Sequence, residues 1–523
     1  MELETTRENI IVNKLINQKK ETIIVEGDII VPDVKPDVLS IINTTGTVCI
    51  CKKETLDEKI KLEGNINLNI IYLADAQTDF IRSLNTILDF TKIIDINKCK
   101  SKMNLRNNIH IKNIECKILN GRKINIKVIL EADVSIFSNE DINILKDINN
   151  NQNIQILNSN VSINNLIGTG CCRATAKDTI EVPNGDILEE ILKTSININN
   201  KETKVSYNKV LIKADSNVKI MYLTDQQQIK VINSTIPIMG FIDISNISES
   251  DILSCEYEIK NIIIKINSNE KNSIYVEIEF EINCDAMNTI NLELIQDMYL
   301  PTKELQFSMK EISTISNKKQ IKKIYSIKND ILIPEISNGV LYDVDIIPNL
   351  SNTSNLNGKI VYDGDLELNF IFAKEVDNGR LETINYKMPF TFEIENEEIT
   401  SNKIINTNLN IVDSEFNIVT NSAGTINFRI ELEFETDMYS NANINLIDKI
   451  NVNENEIKDI PSMIIYIVKK EDTMWNIAKK YRTTTEEIVN INNLENPSDL
   501  KIRTKIIYTK IFKKANCIIN LIL

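Results

Sequence analysis

Histidine and tryptophan are all but missing from this sequence of 523 residues, which holds one of each, His110 and Trp475. A Ser-His-Asp or Cys-His catalytic arrangement could be built only around His110. That residue sits in an alternating stretch, NNIHIKNIEC, where a lone histidine reads as structural. There are 13 glycines, and none forms a phosphate-cradling loop. Gly358-Lys359 lacks both the first glycine and the hydroxyl residue of GxxxxGK(S/T), and Gly168 and Gly170 in LIGTGCC only approach GxGxxG. Asp363-Gly364-Asp365 lacks the remaining ligands of a calcium loop and is expected to be a turn between strands. Paired carboxylates recur on so many strand faces that they specify no acid/base dyad. The nine cysteines, Cys49, Cys51, Cys99, Cys116, Cys171, Cys172, Cys255, Cys284 and Cys517, contain no CxxC pair, which argues against a zinc site. The expectation is a protein without catalysis, cofactor or metal.

Long apolar runs are also lacking. Nothing approaches the roughly 20 residues of a membrane helix, and the apolar stretch Cys517 to Leu523 is far too short. The N-terminal MELETTRENIIVNKL has no basic start followed by an apolar run, so no signal peptide is expected. Reduced thiols in a cytoplasm are the corresponding expectation. Aromatics amount to 6%, so the cores must be aliphatic. Basic charge is outnumbered, 59 Lys and Arg against 74 Asp and Glu, for a net −15. Such a body is poorly suited to nucleic acid or to anionic lipid. From Met463 to Leu523 the balance reverses, with eleven Lys and Arg against six Asp and Glu. A basic module therefore ends an acidic body.

What is present is repetition. LEGNINLNIIYLAD from Leu62, IKADSNVKIMYLTD from Ile212 and YDGDLELNFIFAKE from Tyr362 share one pattern at a spacing of 150 residues, which brings Tyr72, Tyr222 and Phe372 into register. Val31-Pro32, Val182-Pro183 and Ile333-Pro334 recur 151 apart, and INIKVILEADV, IYVEIEFEINC and INFRIELEFET form a later block. Several blocks in one order at one spacing indicate tandem domains. Within them the period is two: Ile426, Phe428, Ile430, Leu432 and Phe434 alternate with Asn427, Arg429, Glu431 and Glu433. Turn pairs such as Asn120-Gly121 and Asn378-Gly379 separate the runs. The fold class expected is mainly β, three tandem β-sandwich-like repeats of seven to nine strands each over 1–150, 151–310 and 311–458. A repeat of ~150 residues can bury its own core. The loop VPDVKPDVLSII from Val31 is either a strand-entry turn or a partner-docking loop.

From Tyr466 the pattern changes to a short strand, two helices and a closing strand, an α+β (βααβ) module over 463–510. Thr473 is placed to cap the first helix and Thr484 or Thr485 the second. Trp475 falls on the apolar stripe of the first helix and is expected in the module's core. Tyr466, Val468, Asp472-Thr473-Met474-Trp475, Ile477-Ala478, Tyr481, Ile488, Asn492, Leu494 and Asn496-Pro497 together resemble the LysM family. That resemblance implies a shallow groove for N-acetylglucosamine chains of peptidoglycan or chitin. Carried over, the groove is lined by Glu471, Asp472, Thr473, Met474, Asn496, Pro497, Leu500 and Ile502, with Lys470 and Arg503 at its rim. Two positions depart from the family. Glu471 stands where the family has Gly before Asp-Thr, and Ile502-Arg503 where it has Pro-Gly. Bulk and charge there, with Lys469, Lys470, Lys501, Arg503 and Lys505 nearby, suit an acidic protein patch better than a neutral glycan.

The VPDVKPDVL loop and the recurring Leu/Ile-x-Tyr-Leu strand, followed by one LysM module, resemble the SPOCS-domain proteins of spore-forming clostridia. The resemblance implies a spore-coat morphogenetic scaffold in the mother-cell cytoplasm at the forespore surface. Its implied partner is the coat basement-layer ATPase, bound through the LysM module. Peptidoglycan is the alternative partner, and nucleic acid and membrane insertion are not expected.

Overall fold

The structure is a computed structural model; it describes residues 4–75, 81–148, 153–268, 270–337, 339–356, 358–374, 381–395, 403–419, 422–456, 463–494 and 502–509. Asn378-Gly379 lies outside them.

The first unit contains β1 (Thr5–Ile30), β2 (Val38–Leu56), β3 (Lys59–Ala74), β4 (Ile81–Asp95), β5 (Asn104–Asn120) and β6 (Lys123–Ile148). The second contains β7 (Gln155–Glu181), β8 (Leu188–Ser206), β9 (Lys209–Thr224), β10 (Ile229–Asp243), β11 (Ile252–Ile266) and β12 (Ser273–Tyr299). The third contains β13 (Lys303–Leu332), β14 (Gly339–Leu356), β15 (Lys359–Lys374), β16 (Leu381–Glu395), β17 (Ile404–Ile418) and β18 (Thr425–Glu456). In each unit the second, third and fourth strands form one antiparallel sheet, and the first, sixth and fifth form the other. A bridge between Val12 of β1 and Asn165 of β7 joins two of the latter into a six-stranded sheet, β11-β12-β7-β1-β6-β5.

The sandwich per repeat follows from period-two burial. Ile426, Phe428, Ile430, Leu432 and Phe434 are all at most 1% exposed, as are Ile274, Val276, Ile278 and Phe280. Each such side chain contributes roughly 1.5–3 kcal/mol on burial. Tyr72, Tyr222 and Phe372 occupy the same place in the three cores.

Among the described residues there are six strands per unit, not seven to nine. The outer strands run on through β-bulges, as between Leu15 and Asn17 in β1 and between Ser316 and Lys319 in β13. A bulge shifts the alternation by one residue, so one bent strand reads as two. Residue 310, the expected end of the second repeat, lies inside β13. Asp363-Gly364-Asp365 is not a turn but the middle of β15. A Cβ on Gly364 would sit 2.3 Å from the Asn349 carbonyl oxygen and 2.5 Å from the Phe390 ring. The glycine there admits a bulge of β14 and an aromatic ring, not a cation.

The units meet at equivalent positions. Ile71, Met221 and Ile371, spaced by 150, share one buried cluster. Ile10, Val12, Ile142, Ile144, Ile163, Leu292, Leu294, Ile312, Ile444 and Leu446 share another. Asn43, Lys193 and Asp343 also occupy equivalent places and are 3%, 1% and 5% exposed. The body is thus three sandwiches around a common axis, with a polar cavity of about 590 Å³, open to solvent, bordered by Arg106, Glu256, Lys318 and Asp437.

The VPDVKPDVL stretch links β1 to β2. Arg122 pairs with Asp33 at 2.9 Å and Asp37 at 3.1 Å, and Lys35 reaches Glu190 of the second unit. No helix among the described residues is long and apolar enough to cross a membrane.

Candidate functional site

The terminal module consists of β19 (Met463–Ile467), α1 (Met474–Tyr481), α2 (Thr485–Ile491) and β20 (Lys505–Thr509). The Thr473 hydroxyl accepts from the Asn476 amide at 3.1 Å and caps α1. Thr484 caps α2 in a reciprocal box with Glu487. The Asn492 side chain hydrogen-bonds both ways with the backbone of Ile507, fastening the end of α2 to β20. Val468, Met474, Ile477, Ala478, Ile488 and Ile506 form the core.

The described part of the candidate groove is residues 468–473, after β19, and residues 502–504, before β20. At their base the Val468 amide donates to the Thr504 carbonyl at 3.0 Å, and the Arg503 amide donates to Val468 at 2.8 Å. Asp472 turns its carboxylate inward, accepting from the Lys469 amide at 2.7 Å and the Tyr466 hydroxyl at 2.8 Å. Those bonds, the Lys469 amide foremost, hold its carboxyl below the usual carboxylate range. Asp472 and Thr473 therefore shape the loop. Met474, 6% exposed, belongs to the core and not to the groove lining.

The exposed rim is Lys469, Lys470, Glu471, Ile502 and Arg503. Glu471 has φ 89° and Arg503 φ 72°. Both keep the left-handed backbone that glycine adopts without penalty while projecting charged side chains. Asn496, Pro497, Leu500 and Lys501 lie outside the described residues.

Trp475 is half-buried and packs against the module's core cluster, but it also reaches outside the module. Its ring packs edge-on against Tyr299 of β12, centroids 5.0 Å apart, and its Nε1 donates to Asp297 at 2.7 Å. Lys479 pairs with the same carboxylate at 2.6 Å. The Tyr299 hydroxyl donates to the Thr483 carbonyl at 2.7 Å, and Arg482 donates to the Lys303 carbonyl at 3.2 Å. One face of α1 and the turn after it thus dock the module on the junction between the second and third units. The stripe that marked Trp475 as apolar could not say which side of the module's surface it would cover.

Comparison with protein-family models matches residues 37–119, 188–267 and 320–419 to SipL, SPOCS domain, and residues 466–508 to the LysM domain. The three SPOCS segments cover just over half of the chain. The chain belongs to the SipL SPOCS-domain family. In the first two units the match spans the second to fifth strands, leaving out the long outer pairs β1/β6 and β7/β12. No curated protein and no solved structure matches the chain. SPOCS and LysM are binding or structural domains, and together they mark a sporulation-related protein associated with the spore coat. The LysM match is consistent with binding to peptidoglycan.

Proposed function

We propose that this SipL-family chain is a non-catalytic morphogenetic scaffold of the spore coat that docks through its LysM rim onto a coat basement-layer protein. By resemblance that partner is the basement-layer ATPase, met in the mother-cell cytoplasm at the forespore surface. The observation that carries the reading is the pair Glu471 and Arg503. Each holds a glycine-type backbone at the groove yet places a charged side chain where a sugar would need bare peptide. The docking of α1 on Asp297 and Tyr299 leaves Lys469, Lys470, Glu471, Ile502 and Arg503 exposed. Exposed charges of both signs favour a complementary protein surface and make binding salt-dependent. Three further sandwiches on the same chain can add contacts at a surface and raise avidity.

The test is capture of the purified ATPase by the immobilised full-length chain. Capture should weaken at least tenfold in a Glu471→Lys/Arg503→Glu double variant and at high salt. Capture unaffected by either would defeat the proposal. The second reading, a peptidoglycan-binding envelope protein, rests on the LysM match alone, and retention of the full-length chain by purified cell wall would favour it.

A further inference from the structure

The chain carries a pair of thiols that neither the coat scaffold nor the LysM module uses. Cys255 of β11 and Cys284 of β12 are direct cross-strand partners in an antiparallel ladder. Their sulfurs lie 2.9 Å apart. Opposed residues in such a ladder have Cα atoms about 4.5–5.5 Å apart, within the span a disulfide bridges. Cys284 is 1% exposed, whereas Cys255 is half-buried and borders the central cavity. Among the described residues β11 is an edge strand of the six-stranded sheet, paired with β12 alone. A bond here would staple that edge to the interior of the sheet.

We propose that Cys255 and Cys284 are a disulfide site, closed by hydrogen peroxide entering from the central cavity. The inference is independent of the docking proposal. The Cys255 thiolate attacks one peroxide oxygen and the O–O bond breaks. This leaves a sulfenic acid on Cys255 and a hydroxide, which takes up the thiol proton as water. The Cys284 sulfur then attacks the sulfenic sulfur. The S–S bond forms, the S–O bond breaks, and the oxygen departs as a second water with the Cys284 proton. Two thiols and one peroxide give one disulfide and two waters. The hydrogen bond to Cys284, followed by burial, pushes the Cys255 thiol well above its ordinary value. Closure is therefore slow at neutral pH and faster in mild alkali, because the thiolate is the nucleophile.

Two exposed thiols, Cys51 and Cys171, serve as internal controls. Cys172 of β7 is the competitor: it lies opposite Ile282 of β12, diagonal to Cys284. The experiment treats the full-length protein with hydrogen peroxide at neutral and mildly alkaline pH, then maps peptides without reduction. The expected result is a Cys255–Cys284 linked peptide about 2 Da lighter than its reduced parts, formed faster at the higher pH and lost on reduction. In Cys284→Ala the link disappears and a sulfenic acid accumulates on Cys255. Should that variant fail to fold, the wild-type map decides alone. Oxidation of Cys51 and Cys171 with Cys255 and Cys284 still reduced would overturn the proposal, and so would a Cys172–Cys284 link.

Discussion

The Lys193 ammonium of the second unit lies 2.5 Å from the Asp343 carboxylate of the third, with both side chains almost fully buried. Asp345 contacts the same ammonium and receives the Asn43 amide at 3.1 Å. Asn43, Lys193 and Asp343 hold one position in three repeats, so symmetry brings them together while chemistry makes them different. Burying unlike polar groups this way costs desolvation, but it couples the units in a fixed order. A second copy of any one unit in place of another would put two like groups at the axis.

Lys193→Met should destabilise the chain by about 3 kcal/mol, because it takes one of the two cations from buried Asp343, leaving Lys219, and takes the ammonium from part-buried Asp345. Lys193→Met combined with Asp343→Leu should lose less than the sum of the two single changes. Denaturant unfolding of the four proteins measures the coupling. Additive losses would mean that the pair does not act as a unit.

Trp475 offers a built-in probe, since it is the one tryptophan of the chain. Asp297→Ala removes the acceptor of its indole and the partner of Lys479. Loss of those contacts should cost about 1–3 kcal/mol of module docking. The tryptophan emission should shift to the red, with the far-ultraviolet signature of the sandwiches unchanged. An unshifted spectrum would place Trp475 in an environment that Asp297 does not control.

Much of the sandwich architecture was legible in the sequence because period-two burial and a 150-residue spacing are properties of the chain itself. The alternation from Ile426 to Phe434 names its buried face outright, and Thr473 announces its cap. What escaped depends on partners distant in sequence. Trp475 and Asp297 are 178 residues apart, and no periodicity links them. Gly364 looked like a turn residue because its reason, the Asn349 carbonyl and the Phe390 ring, lies on two neighbouring strands. Bulges hid the continuity of β1 and β13 by reversing the alternation midway. Of the groove, the changed glycines Glu471 and Arg503 were legible as departures. That their backbones keep the glycine conformation was visible only in the fold.

Glu256 faces the central cavity, and burial pushes its carboxyl up to about 7, with Arg106 partly opposing. The folded state therefore binds a proton more readily than the unfolded chain, whose carboxyl titrates near the ordinary 4.5. The contribution of this carboxyl to stability should be fully present below that ordinary value, fall as pH rises through 4.5 to about 7, and level off above. Glu256→Gln should remove this part of the pH dependence of the melting temperature. An unchanged slope in the variant would assign the dependence elsewhere.

Glu471→Gly should relieve the cost of a left-handed non-glycine residue, about 1 kcal/mol, and slow hydrogen exchange in α1 and α2. It should at the same time weaken capture of the protein partner, since strain kept at a site is kept for its function. A variant both more stable and equally well captured would show that the side chain at 471 has no part in docking.

The central claim is that the LysM groove of this chain serves a protein and not a glycan. Calorimetric titration of the full-length protein, once with the basement-layer ATPase and once with N-acetylglucosamine oligomers, tests it most directly. The account predicts saturable heat with the ATPase, lost in Glu471→Lys/Arg503→Glu, and none with the oligomers. Micromolar binding of the oligomers, with no heat from the ATPase, would contradict it.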